Sequence, residues 1–132
     1  MLKYMLDTNI CIYTIKQKPL VVKEAFKKHI GMMCISTITM TELFYGAEKS
    51  LYPAKNITVI EGFIAQLQVL TFDEEAATHT AQLRTELARV GTPIGAYDTM
   101  IAGHARSRGL IVVTNNTHEF ERVNGLRIEN WV

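Results

Sequence analysis

Three carboxylates in this chain have the types and placement for chemistry: Asp7, Glu42 and Asp98. Asp7 ends the apolar run Leu2-Lys3-Tyr4-Met5-Leu6, Glu42 lies among Met40, Thr41, Leu43 and Phe44, and Asp98 precedes Thr99-Met100-Ile101-Ala102. Brought to one point, three carboxylates repel one another and lose hydration. A divalent cation removes both penalties. An all-oxygen donor set favours a hard ion, Mg²⁺ with Mn²⁺ as a substitute, over zinc. Each acid also has a plain structural reading. Asp7 and Asp98 can serve as helix caps or first-turn acids, and Glu42 as an exposed helix residue.

Other chemistry finds no support. The four histidines show neither HExxH nor HxH spacing, and we expect them at the surface or an interface. There is no GxSxG elbow, P-loop or GxGxxG. Asp7-Thr8-Asn9 lacks the second aspartate of phosphotransfer DxD motifs. Cys11 and Cys34 lie in apolar runs without CxxC spacing, which predicts buried, reduced thiols. Arg106 and Arg108 read as ordinary charges at a helix C-terminus before they read as RNA contacts.

The elements that must position the acids follow from periodicity. Strands are predicted at 2–7, 32–36, 68–71, 110–114 and 126–130. Between them, helices are expected up to residue 16 (capped by Thr8 or Asn9), from Pro19 to about 29, from a Thr37 or Thr39 cap to about 50, and over 54–67. Further helices are expected over 74–90 (capped by Asp73), 98–108 (ended by Gly109) and 117–122. Short buried strands alternating with helices predict a parallel α/β sheet, whose ligands bind beyond the strands' carboxyl ends. Asp7 and Asn116 both fall at such ends. On the last long helix Asp98 shares a face with Ile101, Ala102 and Ala105, and the helix dipole is expected to help keep it ionised. Glu42 lies nearly opposite its helix's apolar stripe.

At 132 residues and 14.9 kDa the chain fits one domain, 1–132. The net charge of +1 excludes a global polycation. The charge is uneven: residues 1–30 carry Lys3, Lys16, Lys18, Lys23, Lys27 and Lys28 against Asp7 and Glu24, a strip able to meet a phosphate backbone. Asp7 interrupts the first apolar run before a signal-peptide core forms, and no stretch is long enough to span a membrane. The expectation is a soluble, cytoplasmic protein.

Together these segments resemble the PIN-domain ribonucleases, in particular the VapC toxins of bacterial toxin–antitoxin pairs. The resemblance rests on Met5-Leu6-Asp7-Thr8-Asn9, on the block from Ser36 through Glu42 to Gly46, and on Asp98-Thr99-Met100-Ile101-Ala102-Gly103-His104-Ala105. It also rests on Val112-Val113-Thr114-Asn115-Asn116, with Phe120, Val123, Gly125-Leu126 and Trp131 beyond. It spans essentially the whole chain and is closest to the enterobacterial type, which implies cleavage of initiator tRNA in the anticodon stem-loop. It implies a three-layer α/β/α PIN domain with a central parallel sheet. It also implies Mg²⁺ held by Asp7, Glu42 and Asp98, and an in-line attack of water that leaves a 5′-phosphate and a 3′-hydroxyl. Thr8, Asn9 and Thr114 are implied as supporting residues. The expected partners are a VapB antitoxin, operator DNA only through that antitoxin, and a second copy of the chain. The antitoxin is expected to place a basic residue near the acids and apolar side chains around Ile12, Ile15 and Val22. One position departs from the pattern: many members carry a fourth acid where this chain has Asn116, and Glu119, one helical turn on, is a possible substitute. The departure keeps open a catalytically silent RNA- or partner-binding module of the same fold. A phosphoryl-receiver domain is disfavoured, because no lysine follows the 110–114 strand.

Overall fold

The computed structural model describes residues 1–132. The elements run β1 (Tyr4–Leu6), α1 (Thr8–Lys16), α2 (Leu20–Lys28), β2 (Met33–Ser36), α3 (Thr37–Glu48), α4 (Pro53–Ile64), β3 (Gln68–Leu70), α5 (Glu74–Arg89), α6 (Ala96–Arg108), β4 (Ile111–Val113), α7 (Thr117–Phe120) and β5 (Ile128–Glu129). All strand pairs are parallel, in the order β3-β2-β1-β4-β5. Parallel pairing requires a crossover after each strand, and those crossovers put helices on both faces. On one face Leu6, Ile35 and Val113 pack with Ile10, Phe26, Leu43 and Phe63 from α1 to α4. On the other, Met5, Cys34 and Val112 pack with Leu83 and Leu87 of α5 and Ile101, Ala102 and Ala105 of α6. The result is the expected three-layer α/β/α arrangement, with β1 central and buried throughout.

Register fixes the functional edge. Leu6 lies opposite Val113, and the Asp7 N–H donates to the Val113 carbonyl at 3.0 Å. Asp7 and Thr114 therefore leave the sheet side by side. Strand and helix join without a loop at two places, which corrects two expected caps. The cap of α1 is Asp7, whose carboxylate accepts from Ile10 N–H, not Thr8 or Asn9. The cap of α3 is Ser36, accepting from Ile38 N–H, not Thr37 or Thr39. Helix α6 also starts two residues earlier than expected, so Asp98 is its third residue.

Three other expectations change. His104 is fully buried, not at the surface, and its Nδ1 lies 2.8 Å from Ser36 Oγ. His29 is half-buried and stacks on Trp131, ring centroids 4.7 Å apart. Arg106 is a tie between α6 and α5: Nε donates to His79 Nδ1 at 3.1 Å and Nη2 to the His79 carbonyl at 3.2 Å. Both cysteines are free and buried as expected, and burial pushes the Cys34 thiol up to about 12. No helix is long and apolar enough to cross a membrane.

His104 is buried because α6 is sandwiched between the sheet and α5, so its covered face is wider than one apolar stripe. Gly103 shows how close that packing is. A Cβ there would lie 2.0 Å from Thr80 Oγ1 and 2.7 Å from Thr80 Cα. Backbone cannot yield as a flexible side chain can. Gly103→Ala is expected to destabilise the fold by about 1–3 kcal/mol, despite alanine's better helix propensity. Urea unfolding of the two proteins measures it, and equal midpoints would show that α5 shifts freely.

Candidate active site

The carboxyl edge of the sheet gathers the sequence-predicted residues around the end of β1. Asp7 is 3% exposed, deep enough that its charge needs compensation. Its Oδ1 accepts from Ile10 N–H at 2.9 Å and its Oδ2 from Thr114 Oγ1 at 2.5 Å. Thr114 Oγ1 in turn accepts from Asn116 N–H at 2.8 Å. Thr8, the first residue of α1, donates from Oγ1 to Glu42 Oε1 at 2.6 Å and so ties α3 to the Asp7 end of α1. The threonines thus aim two of the three acids.

The third acid arrives from the opposite layer. Asp98 is half-buried in the first turn of α6. Asn116 Nδ2 stands 3.5 Å from its Oδ2, at the weak limit of a hydrogen bond. The Glu119 carboxyl, on α7, lies within hydrogen-bonding reach of Asp98. Asn9 is exposed and bonds no protein group through its side chain, but its backbone N–H supports Asp7. Asp7, Glu42, Asp98, Thr8, Thr114, Asn116 and Glu119 are therefore drawn to one edge, and Asn9 stands at its rim.

The electrostatics follow. Burial raises the Asp7 pKa above the usual carboxylate value, and Glu42 raises it further; the Thr114 and Ile10 hydrogen bonds oppose both. Asp98 is pushed up to about 6, first by burial, then by the Glu119 hydrogen bond and by the charges of Asp7, Glu119 and Glu42. The α6 dipole favours the ionised form, but it is opposed by desolvation and three acids, which leave the Asp98 pKa raised.

The donor set fits a hard divalent ion. It is all oxygen, it is electrostatically frustrated without a cation, and two of its acids are held by hydroxyl and amide donors. It is not a closed cage: no three Asp, Glu, His or Cys side chains converge tightly enough to enclose an ion. Mg²⁺ needs no such cage, because it commonly keeps several waters and takes only one or two carboxylates. Sequence reasoning missed a polar pair at the same edge, in which Asn115 Nδ2 donates to Tyr13 OH at 2.9 Å across 102 positions of sequence. No local pattern links those two residues, so no periodicity could have found them.

Residues 4–126 match the PIN domain. The chain belongs to the PIN-domain family. Within it, the chain is 65% identical over 131 residues to the tRNA(fMet)-specific endonuclease VapC of Shigella flexneri, covering 99% of both proteins. Among solved structures it is similar to the DNA-bound VapBC complex of Salmonella typhimurium, with a TM-score of 0.96, 63% identity and full coverage of both chains. It is also similar to the DNA-bound VapBC2 complex of Rickettsia felis, with a TM-score of 0.93 and 35% identity over 99% of this chain and 100% of that one. Membership explains why three acids that are far apart in sequence share one sheet edge.

The Asn116 departure has a measurable consequence. A further negative charge next to Asp98, beyond those of Asp7, Glu42 and Glu119, would attract a cation that the amide does not. Asn116→Asp is expected to lower the Mg²⁺ concentration for half-maximal cleavage by roughly fivefold or more. Metal titrations of both proteins test this. Equal or weaker metal dependence in the variant would remove Asn116 from the metal's surroundings.

Proposed function

We propose that residues 1–132 act as one domain, a Mg²⁺-dependent endoribonuclease toxin that cuts initiator tRNA in the anticodon stem-loop and is held in check by an antitoxin. The observation that carries the metal-dependent chemistry is the self-repelling group of Asp7, Asp98, Glu42 and Glu119, with the Asp98 pKa near 6. The substrate is supported by the name of the Shigella flexneri relative at 65% identity.

Asp7, Asp98 and Glu42 would hold the ion, with Glu119 supplying the charge that Asn116 lacks. Bound Mg²⁺ supplies a Lewis acid that makes a water more acidic and offsets charge on the attacked phosphate. The protein does the positioning. Thr114 and the Ile10 N–H fix both oxygens of Asp7, and Thr8 fixes one oxygen of Glu42. No side chain acts as a covalent nucleophile; in-line attack of water with departure of the 3′-oxygen, as the family resemblance implies, leaves a 5′-phosphate and a 3′-hydroxyl. The exposed Lys16, Lys18, Lys27 and Lys28 on and beside α1 and α2 steer the RNA backbone.

The antitoxin reading is supported by the VapBC neighbours and by an apolar cleft of about 300 Å³ that contains Ile12, Ile15, Glu42, Leu43 and Val59. The expected contact at Val22 is corrected: that side chain is fully buried and belongs to the core, and α4 supplies Val59 to the cleft instead. Glu42 lines the same cleft, so a chain lying in it can bring a basic side chain to the acids. An arginine suits that place because its fork bridges carboxylates. Operator DNA is met through the antitoxin, the toxin pairs as a homodimer, and the site of action is the cytoplasm, where tRNA is. A catalytically silent module of the same fold would need the charge deficit at Asn116 to go unmet, and the approach of Glu119 to Asp98 supports the active reading instead.

The deciding experiment is incubation of the purified protein with total bacterial RNA, with Mg²⁺ or with EDTA, followed by mapping of 5′ ends. The expected result is one dominant cut in the initiator tRNA anticodon stem-loop that EDTA abolishes. Intact RNA under both conditions would leave the silent-module reading standing.

A further inference from the structure

A metal ion on carboxylates engages a phosphate, and every nucleotide carries one. To cut a strand at one place, the protein needs a second contact close to the metal edge that holds a particular nucleotide. In RNA the bases open to such a contact are the unpaired ones, and proteins take them by stacking on aromatic rings. Helix α3 presents such a ring on its solvent side.

Glu42, Tyr45 and Lys49 stand at i, i+3 and i+7 along α3 and its C-cap, so they share one stripe of the helix. On the other side of α3, Leu43 and Ala47 are buried, and Met40 and Phe44 pack against the same core. Tyr45 has no part in that core and is 63% exposed. Helical side chains lean toward the helix's N-terminus, which lays the Tyr45 ring over the turn that carries Glu42. The Lys49 ammonium stands 4.7 Å from the centroid of the ring. The ring is thus held by a cation on one face while most of its surface stays open. Lysine is depleted from the core of protein–protein interfaces, whereas a cation beside an aromatic ring suits a single-stranded nucleic acid. Given the ribonuclease reading, on which this rests, we infer that Tyr45 is a stacking platform for one unpaired base of the substrate RNA beside the scissile phosphate, with Lys49 supplying charge for the adjoining backbone. A paired base has no free face to offer, so the platform favours a loop over a duplex.

The test uses a synthetic anticodon stem-loop RNA in which each loop nucleotide is made abasic in turn. Binding is measured by fluorescence anisotropy in the Asp7→Asn background, which cuts too slowly to interfere, and kcat/KM with Asp7 in place. One abasic position should weaken both by roughly five- to a hundredfold, the worth of one stacked base. Tyr45→Leu, apolar but without a ring, should lose a similar factor on the intact loop and little more at that abasic position. Tyr45→Phe keeps the ring and should lose almost nothing. The Mg²⁺ concentration for half-maximal cleavage should not move in Tyr45→Leu, because the ring does not hold the acids. Undiminished binding and cleavage by Tyr45→Leu would overturn the inference and leave the ribonuclease reading standing. Losses that multiply between variant and abasic site would do the same, as would a loss that accompanies dissociation of the homodimer in sedimentation. Protein that binds the loop through Tyr45 but cuts no RNA would keep the platform and remove the nuclease.

Discussion

Asp7→Asn should lower Mg²⁺-dependent cleavage on the order of a thousandfold while leaving the fold intact. The loss follows from several kcal/mol of charge stabilisation that a metal contributes and that a neutral amide holds poorly, at 1.36 kcal/mol per factor of ten. The fold should survive for local reasons. Asparagine is as good a helix cap as aspartate, so the Ile10 N–H keeps its acceptor. The amide is nearly isosteric, and Thr114 Oγ1 can accept from it. Removing the charge also relieves its neighbours. Asp7 is one of the acids that raise Asp98, so the Asp98 pKa should drop below about 6 in the variant. A pH titration of carboxyl carbons by NMR reads that drop independently of any activity. Wild-type cleavage by the variant would end the role of Asp7 in the site. Lost cleavage with an unmoved Asp98 would show that the two carboxylates do not share a charge environment.

Asp7 also shows how much was legible in sequence. An acid directly after a buried apolar run marks the end of a strand, and strand ends carry sites in parallel sheets, so its place could be read without coordinates. The same logic gave the sheet class, the order of the elements and the free, buried cysteines. Its plain structural reading was equally right: Asp7 is both cap and cluster member. Glu42 was harder. Its off-stripe position predicts an exposed glutamate, and only the contact with Thr8, 34 positions away, shows that it faces the cleft. The rise of the Asp98 pKa was not legible because helix position is local, whereas the approach of Glu119, Asp7 and Glu42 is set by the register of β1 against β4 and the packing of α7. His104 and Arg106 were misread for a related reason. The middle of α6, residues 101–105, is covered on all sides and has no solvent face to predict, and the close approach of Gly103 to Thr80 leaves no trace in periodicity.

The same crowded carboxylates make stability depend on metal and pH together. Asp98 in the folded protein holds its proton up to about pH 6, against 3.8 for the ordinary carboxyl, and the Asp7 pKa is displaced in the same direction. A raised pKa means that the folded state binds the proton more tightly than the unfolded state does. The metal-free protein therefore has this contribution in full below about pH 3.8 and loses it as the pH rises through about 6. Mg²⁺ held by these acids as proposed is expected to reverse the slope, because it would bind only their ionised forms and so compete with protons below the Asp98 pKa. A ligand at a hundredfold excess over its Kd adds about 2.7 kcal/mol to the folded state, which for a chain of this size raises Tm on the order of 10 °C. That rise should be nearly complete at a slightly alkaline pH and small at about pH 5, where Asp98 is mostly protonated. Scanning calorimetry with Mg²⁺ and with EDTA at both pH values measures it. Asp98→Asn should abolish the alkaline shift and flatten the metal-free decline in stability between about pH 4 and pH 6. A Mg²⁺ shift of equal size at both pH values would mean that the ion binds away from these carboxylates. No shift at saturating Mg²⁺ or Mn²⁺ would mean that the acids balance their charge by sharing protons, as Asp98 and Glu119 are already placed to do.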